Sequence, residues 1–170
     1  IKELHKPENI GKYNKSFYQR LAFDEIFSTF LVNSEIRRKI KRVKKTRKKI
    51  DTKKQNEIIS KLDFLLTNDQ KKTLDEINKD LCSENKMFRL LQGDVGSGKT
   101  IVSLLSAFNT VRSGFQVAVM APTEILARQH FTLCEKLFPL DVRIELLSGK
   151  STYKDKWNII DKLSKKKIDI

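Results

Sequence analysis

Short apolar runs alternate with helix-like patterns from Thr67 onward. The runs have the length of buried strands, and the segments between them repeat apolar residues at the three- and four-residue spacing of a helix. The predicted strands are 87–92, 115–121, 142–147 and the run that begins at 168, and the predicted helices begin near 67, 99, 123 and 153. This alternation predicts an α/β fold with a parallel sheet.

The first part of the chain has a different pattern. Apolar residues at helical spacing predict one long helix, or two in tandem, from about Phe17 to about Lys49. We expect the first half of this helix to be buried, because it carries a wide apolar face. That face consists of Leu21, Phe23, Ile26, Phe27, Phe30 and Leu31. A short polar helix or connector is predicted from Lys53 to Leu62.

Positive charge is concentrated in the second half of that predicted helix. The 170 residues carry a net charge of +14, and ten of the thirteen residues from Arg37 to Lys49 are basic. An excess of this size favours a polyanionic partner. No aromatic residue lies within this stretch, so the pattern favours contact with a nucleic acid backbone rather than base stacking. The alternative is a solvated helix or linker without a partner. The candidate contact residues are Arg37, Arg38, Lys41 and Lys45.

A phosphate-binding loop joins the first predicted strand to the next helix. The loop fits the G-x-x-x-x-G-K-[ST] pattern in full, with Gly93, Asp94, Val95, Gly96, Ser97, Gly98, Lys99 and Thr100. Main-chain N–H groups and the helix N-terminus would hold the phosphates of a nucleoside triphosphate. Lys99 supplies a charge for the β- and γ-phosphates, and Thr100 supplies a hydroxyl ligand for Mg²⁺. The motif therefore predicts binding of a nucleoside triphosphate with Mg²⁺.

Two further motifs lie at helix starts. Thr67 and Gln70 have the spacing of a capping box, and the Gln70 amide could in addition read an adenine edge. Thr123 follows Pro122 at the carboxyl end of the second strand, where it could cap the next helix and hold a nucleic acid phosphate. The turn at Ser148–Lys150 is predicted to lie on the same edge.

Other classes of function have little support in the sequence. Cys82 and Cys134 lie far apart, as do His5 and His130, and none has metal-ligand spacing, so we predict two reduced thiols and assign these residues no metal. No apolar stretch is long enough to span a membrane, and the N-terminus has no signal-like apolar region. We therefore expect a cytoplasmic protein. The absence of an initiator methionine suggests a piece of a longer protein.

Together these motifs resemble the RecG family of superfamily-two DNA helicases. The segment that carries the phosphate loop is "RLLQGDVGSGKT", the segment at the second strand is "MAPTEILARQH", and the adenine motif corresponds to "LTNDQ". The closing "KKKIDI" and the opening "LHKPEN" and "YQRLAFDEIF" also resemble this family. The resemblance implies a RecA-like P-loop motor domain over 63–170, preceded by a helical connector with a basic helix over 1–62.

The implied activity is ATP-driven translocation on branched DNA, such as stalled forks and Holliday junctions, in repair and recombination. By matching position, the roles carried over are nucleotide binding for Gln70 and the loop, and DNA binding for Pro122, Thr123, Glu124 and Gln129. No candidate is found for the acidic Walker B motif or for a second motor domain. We expect a truncated fragment that binds ATP and DNA without turnover, with a separately encoded C-terminal half as a conceivable partner. The alternatives are a transcription-repair coupling translocase and a non-catalytic nucleic acid binder.

Overall fold

The computed structural model describes residues 15–42 and 46–170, with side chains in the first helix described for 18–39. Six helices lie in these ranges. They are α1 (Lys15–Arg42), α2 (Thr52–Ser60), α3 (Asn68–Cys82), α4 (Lys99–Arg112), α5 (Glu124–Leu137) and α6 (Tyr153–Ser164). The chain divides into two units, Ile1–Lys44 and Lys45–Ile170. None of the helices described is long and apolar enough to cross a membrane.

Helix α1 forms most of the described part of the first unit. It ends at Arg42, so the prediction of helix to about Lys49 was wrong at the C-terminal end. Its apolar face is exposed along its length, and the prediction that this half is buried was therefore also wrong. Phe23 and Phe27 stack on each other with ring centroids 5.7 Å apart. Periodicity groups these apolar side chains on one side of a helix, but it carries no information on a covering partner.

The last residues of the basic run belong to the second unit and are not helical. The Lys48 N–H donates to the Leu81 carbonyl at 3.1 Å, and the Ser113 hydroxyl donates to the Lys49 carbonyl at 2.9 Å. The Lys48 ammonium lies 4.2 Å from the centroid of the Phe115 ring. The predicted continuous cationic helix therefore stops before this segment, whose main chain is held by α3 and the end of α4.

The core of the second unit is built by α2, α3 and α4, with Cys134 and Leu137 of α5 packed into the same cluster. Its fully buried side chains include Ile58 from α2, Leu74 from α3, and Leu104, Leu105 and Phe108 from α4. Helices α3 and α4 follow the predicted bounds closely, and Gly114 follows α4 with φ of 84°, as predicted for a C′ glycine. Because Ile58 lies in this core, the compact unit begins before the predicted domain boundary at residue 62.

Three side-chain amides join these helices inside the unit. Asn109 on α4 donates from Nδ2 to Gln55 Oε1 at 2.7 Å and to Asn78 Oδ1 at 2.9 Å. Asn78 on α3 donates to the same Gln55 oxygen at 2.8 Å. Asn109 and Gln55 are buried, so this cluster satisfies polar atoms that would otherwise be costly to bury.

Four extended segments stand where strands were predicted, but no regular strand is formed among the described residues. Asp169 N–H donates to the Arg143 carbonyl at 2.8 Å, and Glu145 N–H donates to the Ile170 carbonyl at 3.0 Å. Val117 N–H donates to the Asp169 carbonyl at 2.9 Å. The segment at 168–170 therefore lies between 115–121 and 142–147, running in the same direction as the latter.

The segment at 87–92 differs from the prediction of a buried strand. In the described part of the chain no main-chain hydrogen bond joins it to another segment. Phe88 and Leu90 are exposed, Leu90 by 82%, while Leu91 packs against the core. Arg89 fixes the segment to α3 through ion pairs with Glu76 at 2.9 Å and with Asp80.

Candidate nucleotide-binding site

The phosphate loop has the backbone geometry that its glycines allow. Gly96 and Gly98 adopt φ of 81° and 79°, in the left-handed region that other residues rarely occupy. Gly98 is the N-cap residue of α4, so the free N–H groups of the first helical turn lie beside the loop. A turn between Asp94 and Ser97 closes it, with N···O of 3.2 Å. The Val95 side chain is fully exposed and does not fill the loop.

The Lys99 side chain folds back onto this loop. Its ammonium donates to the carbonyl oxygens of Gly93 at 2.7 Å and Asp94 at 2.6 Å. Both partners are neutral main-chain groups, so the charge of Lys99 is held at the loop without being neutralised by a carboxylate. An anion in the loop would therefore meet one unpaired positive charge and the positive end of α4.

Gln70 connects the start of α3 to the phosphate loop. Its Oε1 accepts from the Thr67 N–H at 2.9 Å, and the Thr67 hydroxyl accepts from the Gln70 N–H at 3.2 Å, which forms the predicted capping box. Its Nε2 donates to the Ser97 carbonyl at 2.9 Å. The capping box was predicted from the residue spacing, but this second contact was not, because no motif links positions 27 residues apart.

The residues present fit a triphosphate with a bound divalent cation. A Cβ at Gly93 would approach the Ser97 hydroxyl to 2.8 Å, so the loop is too tight there for a larger residue. Thr100 is exposed in the first turn of α4 and its hydroxyl could serve as one Mg²⁺ ligand. Within the described ranges no group of three or more His, Cys, Asp or Glu side chains could hold a metal.

The predicted nucleic acid edge is partly assembled around the start of α5. The Thr123 hydroxyl accepts from the Leu126 N–H at 3.3 Å and caps α5 as predicted. Glu124 pairs with Arg128 at 2.9 Å and with Lys150 at 3.5 Å, so Ser148–Lys150 does lie at this edge. The hydrogen bond from Arg128 lowers the pKa of Glu124. Pro122 and Gln129 are exposed beside it.

The predicted contact residues of the basic helix are only partly described. Arg37 is exposed on α1, and Arg38 pairs with Glu35 of the preceding turn at 2.9 Å. Lys41 lies in α1, but its side chain is outside the described residues, as is the whole of Lys45.

Comparison with known proteins identifies the group to which this site belongs. Residues 67–170, from the capping threonine to the last residue, match the DEAD/DEAH box helicase family. The chain belongs to that family. The match begins at the N-cap of α3, so the Gln70 contact and the phosphate loop both fall within the DEAD/DEAH region.

Relatives of this DEAD/DEAH chain confirm the resemblance to RecG. The ATP-dependent DNA helicase RecG of Aquifex aeolicus is 41% identical over 94% of the chain, and that of Thermotoga maritima is 40% identical over 98%. The chain spans 21% of each of these two proteins. A solved structure of RecG bound to a three-way DNA junction matches 95% of this chain and 24% of that one, with a TM-score of 0.74 and 38% identity. The structural match implies a RecA-like P-loop fold for the second unit.

Proposed function

We propose that this chain is the ATP-binding part of a RecG-type DNA helicase, an enzyme that uses ATP to remodel stalled forks and Holliday junctions. The observation that carries the proposal is the phosphate loop, with two left-handed glycines and the Lys99 ammonium held only by neutral carbonyls. The RecG relatives extend over the same residues. They favour this reading over a transcription-repair coupling translocase.

Each residue of the loop has a distinct part in the proposed binding. Main-chain N–H groups of 93–100 and of the start of α4 hold the phosphates. These donors are already oriented by the backbone, so binding orders no additional side chain. Lys99 moves from the carbonyls of Gly93 and Asp94 to the β- and γ-phosphate oxygens. Thr100 provides one oxygen to Mg²⁺, and Gln70 reads the adenine edge while its contact with Ser97 orients the loop.

The proposed DNA contact is through phosphates at the carboxyl ends of the extended segments. The N–H groups in the first turn of α5 are free of intrahelical partners apart from the one that Thr123 caps. Together with Pro122, Glu124 and Gln129 they form the edge that we assign to DNA. Arg37, Arg38, Lys41 and Lys45 are assigned a second, sequence-independent phosphate contact. DNA as substrate is supported by the RecG structure, which contains a three-way DNA junction.

We further propose that the extended segments are the strands of one parallel RecA-like sheet. Their order in the chain and the hydrogen bonds among 115–121, 142–147 and 168–170 support this arrangement. The exposed apolar side chains of 87–92 fit a strand that has a further neighbour in the longer relatives. The acidic residues that complete an ATPase lie, on this proposal, outside these 170 residues. A separately encoded C-terminal half would be one source of them.

Titration of the 170-residue chain with ATP and Mg²⁺ tests the nucleotide site. Lys99→Ala should remove most of the affinity, because it deletes the one unpaired charge at the loop. Lys72→Ala, which deletes an exposed lysine of α3, is the matched control and should leave the affinity unchanged. Equal affinity for Lys99→Ala and the unaltered chain would refute the assignment. We expect no DNA-stimulated hydrolysis by this chain, and robust turnover would show that its catalytic residues are complete.

A further inference from the structure

Helix α6 presents an aromatic stripe to solvent. Ile159 is its buried residue, and Tyr153, Trp157 and Ile160 follow one another at spacings of four and three on another side of the helix. Tyr153 is 77% exposed and Trp157 is 56% exposed. Their rings meet edge to face, with centroids 6.0 Å apart and an interplanar angle of 66°. Large exposed aromatic side chains in such a row indicate an interaction surface.

The surroundings of this stripe are strongly cationic. Seven lysines and two aspartates lie between Lys150 and Lys167. The aspartates are occupied locally, because Asp155 accepts from the Thr152 hydroxyl at 2.6 Å and Asp161 pairs with Lys165 at 2.7 Å. Lys154 and Lys156 both lie between the two aromatic residues in the sequence and have no ion pair among the described residues. The stripe is therefore bordered by positive charge that the unit itself does not neutralise.

We propose that α6 binds an unpaired stretch of nucleic acid, with bases stacked on Tyr153 and Trp157 and phosphates beside Lys154 and Lys156. Exposed π-faces interleaved with ammonium groups fit a ligand that has bases and phosphates at a regular spacing. In a duplex the base faces are covered by their neighbours, so the aromatic side chains select a single strand. The sequence of α6 differs in this respect from the basic stretch of α1, where no aromatic residue lies between the cationic ones.

The surface lies close to the edge assigned to DNA above but does not depend on that assignment or on ATP. Helix α6 begins three residues after Lys150, whose ammonium lies 3.5 Å from Glu124 at the start of α5. A strand that leaves the Thr123 edge could therefore continue along α6. Binding at α6 requires no part of the phosphate loop, so Lys99→Ala should leave it unchanged.

Trp157 is the one tryptophan of the chain, so its fluorescence reports directly on the proposed contact. The 170-residue chain is titrated with single-stranded oligothymidylate, with an abasic oligomer of the same length, and with a duplex of equal charge. We expect oligothymidylate to quench the fluorescence and the other two ligands to leave it nearly unchanged. No quenching, or equal quenching by the abasic oligomer, would overturn the stacking assignment.

Exposed substitutions separate stacking from charge and from apolar contact. Tyr153→Ala and Trp157→Ala should each weaken binding of a labelled oligothymidylate roughly tenfold, and Trp157→Phe should retain most of the affinity. Lys154→Ala should instead reduce the salt dependence of binding. Ile160→Ala is the matched control, because it shortens the same stripe without removing an aromatic ring. If it weakens binding as much as Trp157→Ala does, loss of apolar area rather than loss of a stacking ring explains the effect, and the proposal fails.

Discussion

Alanine at Gly98 should disturb both the phosphate loop and the glutamine that touches it. Gly98 is the N-cap of α4 and has φ of 79°, and a Cβ added there would lie 2.3 Å from Gln70 Nε2. That distance is far inside van der Waals contact, so the Gln70 side chain must leave its position. Its departure breaks the 2.9 Å hydrogen bond to the Ser97 carbonyl and the return bond of the capping box.

The expected cost has two separable parts. A non-glycine residue in the left-handed region costs about 1–2 kcal/mol. The two hydrogen bonds lost with Gln70 contribute about 0.5–1.5 kcal/mol each. Gly98→Ala should therefore destabilise the chain by about 2–5 kcal/mol, and Gln70→Ala should cost only the hydrogen-bond part. In the double variant those bonds are lost once rather than twice. Its destabilisation should therefore be smaller than the sum of the two single-variant effects by about 1–3 kcal/mol.

Urea unfolding followed by circular dichroism at 222 nm measures this cycle, and ATP titration gives the parallel effect on affinity. Gly96→Ala is the matched control, since Gly96 has φ of 81° but no atom within 4 Å of an added Cβ. Gly96→Ala should lose stability through backbone strain alone, and its effect on the free energy of unfolding should add to that of Gln70→Ala. Additive effects of Gly98→Ala and Gln70→Ala would refute the claim that Gln70 packs against the loop in the native state.

Two further predictions concern the core. Asn109→Ala should destabilise the second unit by about 1–3 kcal/mol, because it removes both hydrogen bonds that the buried Asn109 amide donates, to Gln55 Oε1 and to Asn78 Oδ1. The exposed Asn158→Ala should change the free energy of unfolding little in the same urea experiment. Burial raises the pKa of the Cys134 thiol to about 11, so it should react with a thiol reagent far more slowly than exposed Cys82. Cys82→Ser should remove the fast phase of that reaction, and a fast phase that persists would show that Cys134 is accessible.

Local signals in the sequence were reliable where the cause of the structure is local. Helix α4 begins at Lys99 and ends at Arg112 as predicted, because a phosphate-loop glycine precedes it and Gly114 follows it. Thr67 and Thr123 cap their helices for the same kind of reason. The contacts that join distant segments had no such signal. The amide cluster brings together three polar residues from separate helices, and each of them reads as an ordinary exposed position in its own helix.

At the candidate site, the motif predicted the conformation of the phosphate loop but not the contacts that surrounding residues make with it. The eight residues of 93–100 fold as the pattern requires, since two glycines supply the left-handed turns. The contact from Gln70 to Ser97, and the pairing of Lys150 with Glu124, depend on how the helices pack. For the basic run the error went the other way, because the sequence pattern predicted an association that the structure does not show. Its charge pattern suggested one continuous surface, whereas main-chain hydrogen bonds hold its last residues against α3 and α4.

The segment at 87–92 shows why an apolar run does not determine burial. Along an extended chain successive side chains point to opposite faces, so Leu90 and Leu91 cannot both reach the same core. Leu91 packs inward, Arg89 is held by Glu76 and Asp80, and Leu90 points to solvent. The same apolar sequence is compatible with a strand buried on both faces and with a strand covered on one face only. Covering a leucine is worth about 1.5–3 kcal/mol, so a neighbour packed over Leu90 on that face would gain about this amount. Leu90→Ser should accordingly leave the stability of these 170 residues almost unchanged, and a large loss would mean that the face is already covered.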